Sequence, residues 1–200
     1  MAQAEERANA PDPIELFHRW YDEAAQSEPG DVSAVALATV DGDGAPSVRM
    51  VLLKDASERG FVFYTNLESR KGRALAADPR AAMCFYWSTV GYQVRVEGRV
   101  EAVTAEEADA YFASRERASQ IGAWASKQSR PLSGMWELDK EVARHTARFL
   151  AGHIPRPPHW SGYRLVPEAL EFWRRRAFRL HERVIYRADG RGWTTERLYP

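Results

Sequence analysis

The stretch Ser33–Lys54, "SAVALATVDGDGAPSVRMVLLK", decides the fold class. Two runs rich in apolar and β-branched residues flank the turn "DGDG" at 41–44. Asp-Gly pairs between such runs are a strong signal for a β-hairpin, because glycine accepts the positive φ that a tight turn requires. The stretch therefore predicts two antiparallel strands.

Similar β-rich runs recur along the chain, at "GFVFYT", "RAAMCFYWS", "YQVRVEGRVEAV", "YRLVP", "ALEFW", "HERVIYRA" and "WTTERL". Helices are predicted where a capping residue precedes apolar residues at helical spacing. These helices run from Asp12 to about Ala25, from Ser69 to Pro79, over 104–126 behind a capping box of Thr104 and Glu107, and over 139–152. Strands and helices that do not alternate disfavour a parallel βαβ sheet. We predict a mainly β protein with packed helices (α+β), built on an antiparallel sheet or barrel.

The composition fits one folded domain and limits its partners. The 200 residues are 44% hydrophobic, so we expect a single domain over 12–200 behind a flexible tail over 1–11. Lys plus Arg and Asp plus Glu both number 28, which leaves no overall field to attract nucleic acid or an anionic membrane. We predict neither partner, and any anion site must gather its cations locally.

The cysteine and histidine residues favour a cytoplasmic protein without a metal site. Cys84 is the single cysteine, so no disulfide can form within the chain, as expected in a reducing cytosol. No run of about 18 apolar residues and no signal-peptide segment occurs. The 5 histidines are scattered, without HxH, HExxH or CxxC spacing, and we predict no metal site.

Three sets of residues, each with at least one basic side chain, are candidates for a local anion site. In an extended strand, Arg179, His181 and Arg183 of "RLHER" would share one face. Three adjacent cations repel each other, so this face would meet either solvent or an anion.

Another set of candidates lies in the predicted helix over 104–126. Tyr111, Arg115 and Ser119 are spaced four residues apart and would form one stripe. All three side chains can hydrogen-bond a phosphate, and the arginine fork matches phosphate oxygens. An exposed helix face is the alternative interpretation.

The last set of candidates follows the Ser69 cap. Arg70 and Lys71 occupy the first helical turn, where free backbone N–H groups already favour an anion. A solvated helix end is the alternative interpretation. Arg49 and Lys54 have opposite strand parity, so a bulge or a strand end is needed to direct both at one ligand.

Taken in order, the segments "RMVLLK", "FYTNLESRK", "SQIGAW", "SKQS", "EFW" and "RLHER" resemble the pyridoxine (pyridoxamine) 5'-phosphate oxidase family, from about Asp12 to Pro200. The resemblance implies an FMN-binding split β-barrel that forms a homodimer, with both flavin sites at the interface. It also implies an FMN-dependent oxidase that converts pyridoxine 5'-phosphate or pyridoxamine 5'-phosphate to pyridoxal 5'-phosphate. In that reaction a hydride passes from substrate C4' to flavin N5, and O2 reoxidises the flavin to give H2O2, with ammonia released from the amine.

The family's motifs also imply site residues. Substrate contacts are implied at Lys54, Tyr111, Arg115, Ser119, Arg179 and His181, and the last two would face the pyridine ring as catalytic residues. FMN contacts are implied at Arg49, Met50, Val51, Leu52, Leu53, Lys54, Tyr64, Thr65, Arg70, Lys71, Gln93, Gln128, Ser129, Trp173 and Arg183. A chain without net charge would thus concentrate cations at two points, one for each phosphate.

Two features depart from the family pattern. Arg174, in the run "RRR", follows Trp173 where the family commonly has Gln, Gly or His. The run is either an exposed hairpin tip or an altered flavin or substrate edge. Many members carry a longer N-terminal segment that closes over substrate, and we expect that lid to be absent here.

Three alternative functions stay open at this point. Other flavin oxidases and reductases, of the phenazine-pathway type, share the implied fold, and fold alone does not choose among them. A flavin- or pyridoxal-phosphate-binding protein without turnover is the second alternative. A nucleic-acid module built on "RRR" is the third, and the zero net charge disfavours it.

Overall fold

The computed structural model describes residues 12–200, so the predicted tail over 1–11 lies outside the described residues. The first helix, α1 (Pro13–Ala25), begins where the sequence predicts. The carboxylate of Asp12 accepts hydrogen bonds from the backbone N–H groups of Ile14 and Glu15. Pro13 fits the first turn, because the N–H that it lacks would have no partner there.

Within the described residues, nine antiparallel strands form one sheet, which confirms the predicted β-rich architecture. The strands are β1 (Ala34–Val40), β2 (Pro46–Leu52), β3 (Asp55–Ser57), β4 (Gly60–Asn66), β5 (Arg80–Trp87), β6 (Tyr92–Ala102), β7 (Trp160–Arg174), β8 (Glu182–Ala188) and β9 (Trp193–Arg197). Their order is β2-β1-β5-β6-β7-β4-β3, with β8 paired to β7 and β9 to β8. Because β2 also contacts β4, the sheet curls into an open barrel.

The turn between β1 and β2 forms as its sequence predicts. The side chain of Asp41 accepts a hydrogen bond from the backbone N–H of Ala45 at 2.9 Å. Gly44 has a φ of 86°, which a residue with a Cβ rarely adopts. The turn fixes a register in which Arg49 lies opposite Leu37.

The C-terminal part of the sheet differs from the prediction in one strand. The segments "YRLVP" and "ALEFW" were predicted as two strands but form one strand, β7, which continues through Pro167. A bulge opposite Gly98 accommodates the proline. The two strands approach so closely there that a Cβ on Gly98 would lie 2.0 Å from the carbonyl oxygen of Val166. The prediction was wrong because a bulge lets a strand continue past a residue that normally ends it.

In the described part of the chain, four further helices pack outside the barrel, at α2 (Arg70–Ala77), α3 (Ala105–Ser114), α4 (Arg117–Ala125) and α5 (Glu137–Arg148). The prediction of one continuous helix over 104–126 was wrong, because the backbone of Arg115 is extended, with φ −74° and ψ 150°. Gln120 stabilises this break: its Nε2 donates to the carbonyl oxygens of Phe112, Ala113 and Arg115. These bonds satisfy carbonyl groups that a helix end leaves without partners.

The core lies inside the barrel beneath α1 and contains many aromatic side chains among its aliphatic ones. Phe17 of α1 meets Phe61 and Phe85 edge to face, with ring centroids 4.9 and 5.1 Å apart. A second apolar cluster, which includes Phe112 and Trp160, joins α3 and α4 to the start of β7. None of the helices within 12–200 has the length and apolarity needed to cross a membrane.

An ion-pair cluster ties α3 to the sheet. Glu107 forms the predicted capping box with Thr104, and its carboxylate also accepts from Arg164 of β7 at 2.8 Å and from Arg59 at 3.0 Å. The bond from the Thr104 backbone, followed by the bond from Arg164, lowers the pKa of Glu107 to about 2. Because Arg164 is 3% exposed, loss of this partner would leave its buried charge with only the longer ion pair to Glu101, at 3.8 Å.

The substitution Glu107→Gln should therefore destabilise the protein most near neutral pH. The folded-state pKa of about 2 lies below the ordinary value of 4.5. The ionised carboxylate therefore contributes its full stabilisation of the folded protein above pH 4.5, and this contribution decreases as the pH falls toward 2. The measurement is the free energy of unfolding of both proteins across this range. Their difference should shrink as the pH drops below 4.5.

The matched control is Glu106→Gln, which removes an exposed carboxylate from the same helical turn. Its effect should be small at every pH. A Glu107→Gln difference that stays constant with pH would contradict a role for the ionised carboxylate.

Candidate functional site

A pocket of about 670 Å³ opens between the end of β2, strand β4 and helices α2 to α4. Its size is typical of small-molecule sites. Many of the predicted site residues line it, namely Met50, Val51, Leu52, Lys54, Tyr64, Thr65, Lys71, Tyr111, Arg115, Ser119 and Gln128. The fold thus brings together residues that are far apart in the sequence.

One end of the pocket is built on the N-terminus of α2. Ser69 caps this helix, as predicted, by accepting a hydrogen bond from the backbone N–H of Gly72. The backbone N–H groups of the first helical residues have no partner within the helix and point toward a ligand. The Nζ of Lys71 lies 3.1 Å from Thr65 Oγ1 and 3.0 Å from Gln128 Oε1. Amide, hydroxyl and ammonium donors thus lie together at this end of the pocket, and a phosphate could accept from all three.

Arg49 lies beside this helix end and adds positive charge. Its guanidinium donates to the Leu37 carbonyl at 3.0 Å and to Thr39 Oγ1 at 2.9 Å. Burial, followed by the charge of Arg70, lowers the pKa of Arg49, while burial, followed by the charge of Arg49, lowers the pKa of Lys71. We call Arg49, Arg70 and Lys71 the first cationic group. Its members repel each other, and a bound anion would remove that repulsion.

Lys54 lies beyond the end of β2, so strand alternation does not determine the direction of its side chain. It is two residues past Leu52, the last residue of the strand, and its backbone N–H donates to the Val62 carbonyl at 2.8 Å. Its side chain lines the pocket. The side chain of Leu53, by contrast, is 7% exposed and belongs to the core.

The other end of the pocket is an aromatic stack that carries an arginine. The ring of Tyr64 lies 4.1 Å from that of Tyr111 and 5.3 Å from that of Trp160, and both pairs are stacked. The guanidinium of Arg115 lies 4.9 Å above the Trp160 ring. Burial lowers the pKa of Arg115, and within residues 12–200 its buried NH1 has no hydrogen-bond partner. An unpaired buried donor is costly, and an anion that accepted a hydrogen bond from it would remove that cost.

The predicted helical stripe of Tyr111, Arg115 and Ser119 was wrong in its geometry, because α3 ends at Ser114 and α4 begins at Arg117. All three residues nevertheless line the pocket. The break redirects the chain, so that two helices contribute where one was expected. Trp160 was not predicted as a site residue, since nothing in "HIPRPPHW" distinguishes it from a core aromatic residue.

Five predicted residues form a separate patch, the second group, consisting of Gln93, Trp173, Arg179, His181 and Arg183. None of them lines the pocket that the described chain forms. Strand register pairs Gln93 with Trp173, and Trp173 with Arg183. The His181 ring lies 4.5 Å from the Trp173 ring. Ser129 lies in the loop after α4, next to Gln128, with a φ of 69°.

The predicted alternation of Arg179, His181 and Arg183 along one strand was wrong. Strand β8 begins at Glu182, and Arg179 lies in a 3₁₀ turn (Ala177–Arg179) within the loop over 175–181. Phe178 and Arg179 have φ values of 58° and 60°, and such left-handed backbone costs a non-glycine residue about 1 kcal/mol. The apolar side chain of Phe178 in this turn is 91% exposed.

Arg183 is held as a cation by a buried carboxylate. Its Nε donates to Glu171 at 2.7 Å, and Arg95 donates to the other carboxylate oxygen at 3.0 Å. Glu171 is 6% exposed. The hydrogen bond with Glu171 raises the pKa of Arg183, so this residue presents a fixed positive charge in the second group.

Comparison with known proteins agrees with this geometry. Residues 21–147 match the family described as pyridoxamine 5'-phosphate oxidase, and residues 160–200 match the pyridoxine 5'-phosphate oxidase C-terminal dimerisation region. A pyridoxine/pyridoxamine 5'-phosphate oxidase of Rhodospirillum rubrum is 60% identical, over 94% of this chain and 96% of that protein. One of Maricaulis maris is 59% identical, over 100% of this chain and 90% of that protein.

Two solved structures share the fold. PhzG from Burkholderia lata 383, in complex with tetrahydrophenazine-1-carboxylic acid, superposes with a TM-score of 0.91 at 34% identity, over 96% of this chain and 94% of that one. A pyridoxamine 5'-phosphate oxidase-related FMN-binding protein from Nostoc punctiforme gives a TM-score of 0.74 at 17% identity, over 96% and 100%, and shows the fold alone. The matched residues and the close relatives establish that this chain belongs to the pyridoxamine 5'-phosphate oxidase family.

Proposed function

We propose that the protein is an FMN-dependent oxidase that converts pyridoxine 5'-phosphate or pyridoxamine 5'-phosphate to pyridoxal 5'-phosphate. Dioxygen is the acceptor, hydrogen peroxide is released, and the amine substrate also yields ammonia. The observation that carries this proposal is the presence of two cationic points at one pocket, Lys71 of the first cationic group and Arg115. Cofactor and substrate would each bring a phosphate with nearly two negative charges. We also propose a cytosolic location, with which the single, half-buried Cys84 is consistent.

The residues at the start of α2 fit the phosphate of FMN. Lys71 and Thr65 offer an ammonium and a hydroxyl at one point, the helix N-terminus offers backbone N–H groups, and Arg49 adds charge. The strand end over 50–52 lines the adjoining part of the pocket and offers its backbone N–H and C=O groups to the flavin ring. The chemistry that FMN supplies when bound is acceptance of a hydride from substrate C4' and delivery of the electrons to dioxygen.

Arg115 fits the phosphate of the substrate. Its stacking on Trp160 fixes the plane of the guanidinium, and its unpartnered NH1 can donate to a phosphate oxygen. Tyr111, Ser119 and Lys54 line the same pocket and supply two hydroxyl groups and an ammonium. By binding the substrate phosphate, these residues fix the position of the reacting end of the substrate, which is an orientation effect.

We further propose that the protein acts as a homodimer, because its second group lies on the same face of the sheet as exposed apolar residues of β2. On the edge strand β2, Val48, Met50 and Leu52 are 67%, 62% and 42% exposed. Directly paired residues share a face, and the register places Met50 in one row with Ala36, Cys84, Arg95 and Glu171. The adjacent row contains Tyr86, Gln93, Trp173 and Arg183.

A two-fold axis through this face would bring the second group of one subunit to the pocket of its partner. The match of residues 160–200 to a dimerisation region supports this arrangement. Arg179 and His181 would then face the pyridine ring of a substrate whose phosphate the other subunit holds. Their proposed role is to orient that ring and to stabilise charge that develops during hydride transfer.

The similarity to PhzG makes a phenazine-type oxidase the second candidate function. The ligand named in that structure carries a carboxylate, whereas the pocket described above has two separate cationic points. A carboxylate bears one negative charge and a phosphate nearly two, so the charge distribution favours the phosphorylated substrate.

Purified protein supplied with FMN should turn yellow and retain about one flavin per chain. Under anaerobic conditions, pyridoxine 5'-phosphate should bleach the flavin absorbance, and admission of air should restore it as aldehyde and peroxide form. Bleaching separates an enzyme from a flavin carrier. Protein that never retains FMN, or that retains it without bleaching, would contradict the proposed function.

The substitution Arg115→Gln should raise the KM for pyridoxine 5'-phosphate by about 10- to 100-fold, the loss expected for a charge-assisted hydrogen bond. The flavin content should not change, because Arg115 is assigned to the substrate phosphate alone. Steady-state kinetics and the flavin absorbance measure both. The control Arg19→Gln, an exposed arginine on α1, should leave both unchanged. A KM that Arg115→Gln does not alter would contradict the assignment.

A further inference from the structure

The loop over 175–181 between β7 and β8 is held in an unfavourable backbone conformation. Phe178 and Arg179 both have left-handed φ values, 58° and 60°, and neither is glycine. Two such residues in succession persist only where the surroundings over-determine the backbone. Phe178 and Leu180 are 91% and 67% exposed, so packing of the loop itself against the chain does not supply that constraint.

The arginines of the run Arg174–Arg176 each have a different anchor. Arg174 lies over the Tyr92 ring, 5.5 Å from its centroid. The guanidinium of Arg176 pairs with Glu182, the first residue of β8, at 2.7 Å. The run is exposed, as the hairpin-tip interpretation expects, and its side chains are also attached to residues on both sides of the loop.

Arg175 makes the largest number of these attachments. Its NH2 donates to the Tyr86 hydroxyl and to the Ser88 carbonyl, both at 3.1 Å, and its backbone N–H donates to the Gly91 carbonyl at 2.8 Å. The side chain packs directly over Gly91, where an added Cβ would lie 2.9 Å from Arg175 Cβ. These contacts fix the first residue of the loop to the turn between β5 and β6.

The same loop sets the hydrogen bonding of His181. The backbone N–H of Arg176 lies 3.2 Å from His181 Nδ1, and the Trp173 ring lies 4.5 Å from the His181 ring at an interplanar angle of 45°. Since a backbone N–H can only donate, Nδ1 must accept, and the neutral ring carries its proton on Nε2. The free edge of His181 is thus a hydrogen-bond donor.

We propose that the Arg174–Arg176 run positions the loop, with Arg175 as the main positioning residue. It holds Arg179 in its left-handed turn and keeps His181 in the tautomer that presents Nε2–H as a donor. This inference rests on the proposed function, in which Arg179 and His181 face the substrate. It identifies the class of group that His181 would meet, which is an acceptor atom on the pyridine ring or its substituents.

The test is Arg175→Ala in the flavin-loaded enzyme. The kcat/KM for pyridoxine 5'-phosphate should fall about tenfold, with flavin content unchanged. The substitution Arg175→Lys, which keeps one donor, should restore part of the loss. The control Arg191→Ala, an exposed arginine in the turn between β8 and β9, should retain the wild-type value.

A spectroscopic signature separates positioning from general stability. In ¹⁵N spectra of the imidazole ring, wild-type His181 should show one tautomer protonated at Nε2, and Arg175→Ala should show both tautomers. Should Arg175→Ala fail to fold, Tyr86→Phe removes only the hydroxyl acceptor and should lower kcat/KM about threefold.

Wild-type kcat/KM in Arg175→Ala, or in Tyr86→Phe if the first variant does not fold, would overturn the inference. A wild-type His181 that is protonated at Nδ1 would also overturn it. These results differ from a failure of the proposed function, in which the wild-type enzyme itself would not oxidise the substrate while its His181 spectrum could still be recorded.

Discussion

Uncompensated positive charge in one pocket is the constraint on which the rest of the structure depends. Arg49 and Lys71 each have a lowered pKa, because burial and a neighbouring cation both disfavour the charged form. Arg115 is buried against Trp160 with one nitrogen unpartnered. In a protein of zero net charge, these cations lie where they lower the stability of the folded chain unless an anion is bound. Binding of phosphate groups would convert that cost into affinity.

The barrel and its helices serve to place these charges. The end of β2 lets Lys54 line the same pocket as the strand residues before it, and the N-terminus of α2 adds backbone N–H groups. The break between α3 and α4, stabilised by Gln120, directs Arg115 onto Trp160. The Glu107 and Arg164 pair fixes α3 to the sheet, so the helix that carries Tyr111 has a defined position.

Local signals in the sequence predicted most elements, and non-local contacts account for the errors. The Asp12, Ser69 and Thr104 caps and the hairpin after Val40 are confirmed, since short-range chemistry determines them. The helix break at Arg115 was missed because Gln120, a helix former, reaches back to carbonyls across it. The alternation of "RLHER" was misread because the anchors of the loop, such as Tyr86, lie on another strand. Trp160 lacked any local signal, whereas capping and spacing had already singled out the cationic residues Arg70, Lys71 and Arg115.

The arrangement of the two groups, one around the pocket and one on the dimer face, is tested most directly by mixing two defective subunits. Differently tagged Arg115→Gln and His181→Ala chains are coexpressed, and the heterodimer is purified and assayed with saturating FMN. If each site combines both subunits, one site of the heterodimer receives two intact halves and the other receives both substitutions. The heterodimer should then show about half of the wild-type activity, far above either variant homodimer. A heterodimer no more active than the homodimers would show that each site is built within one chain.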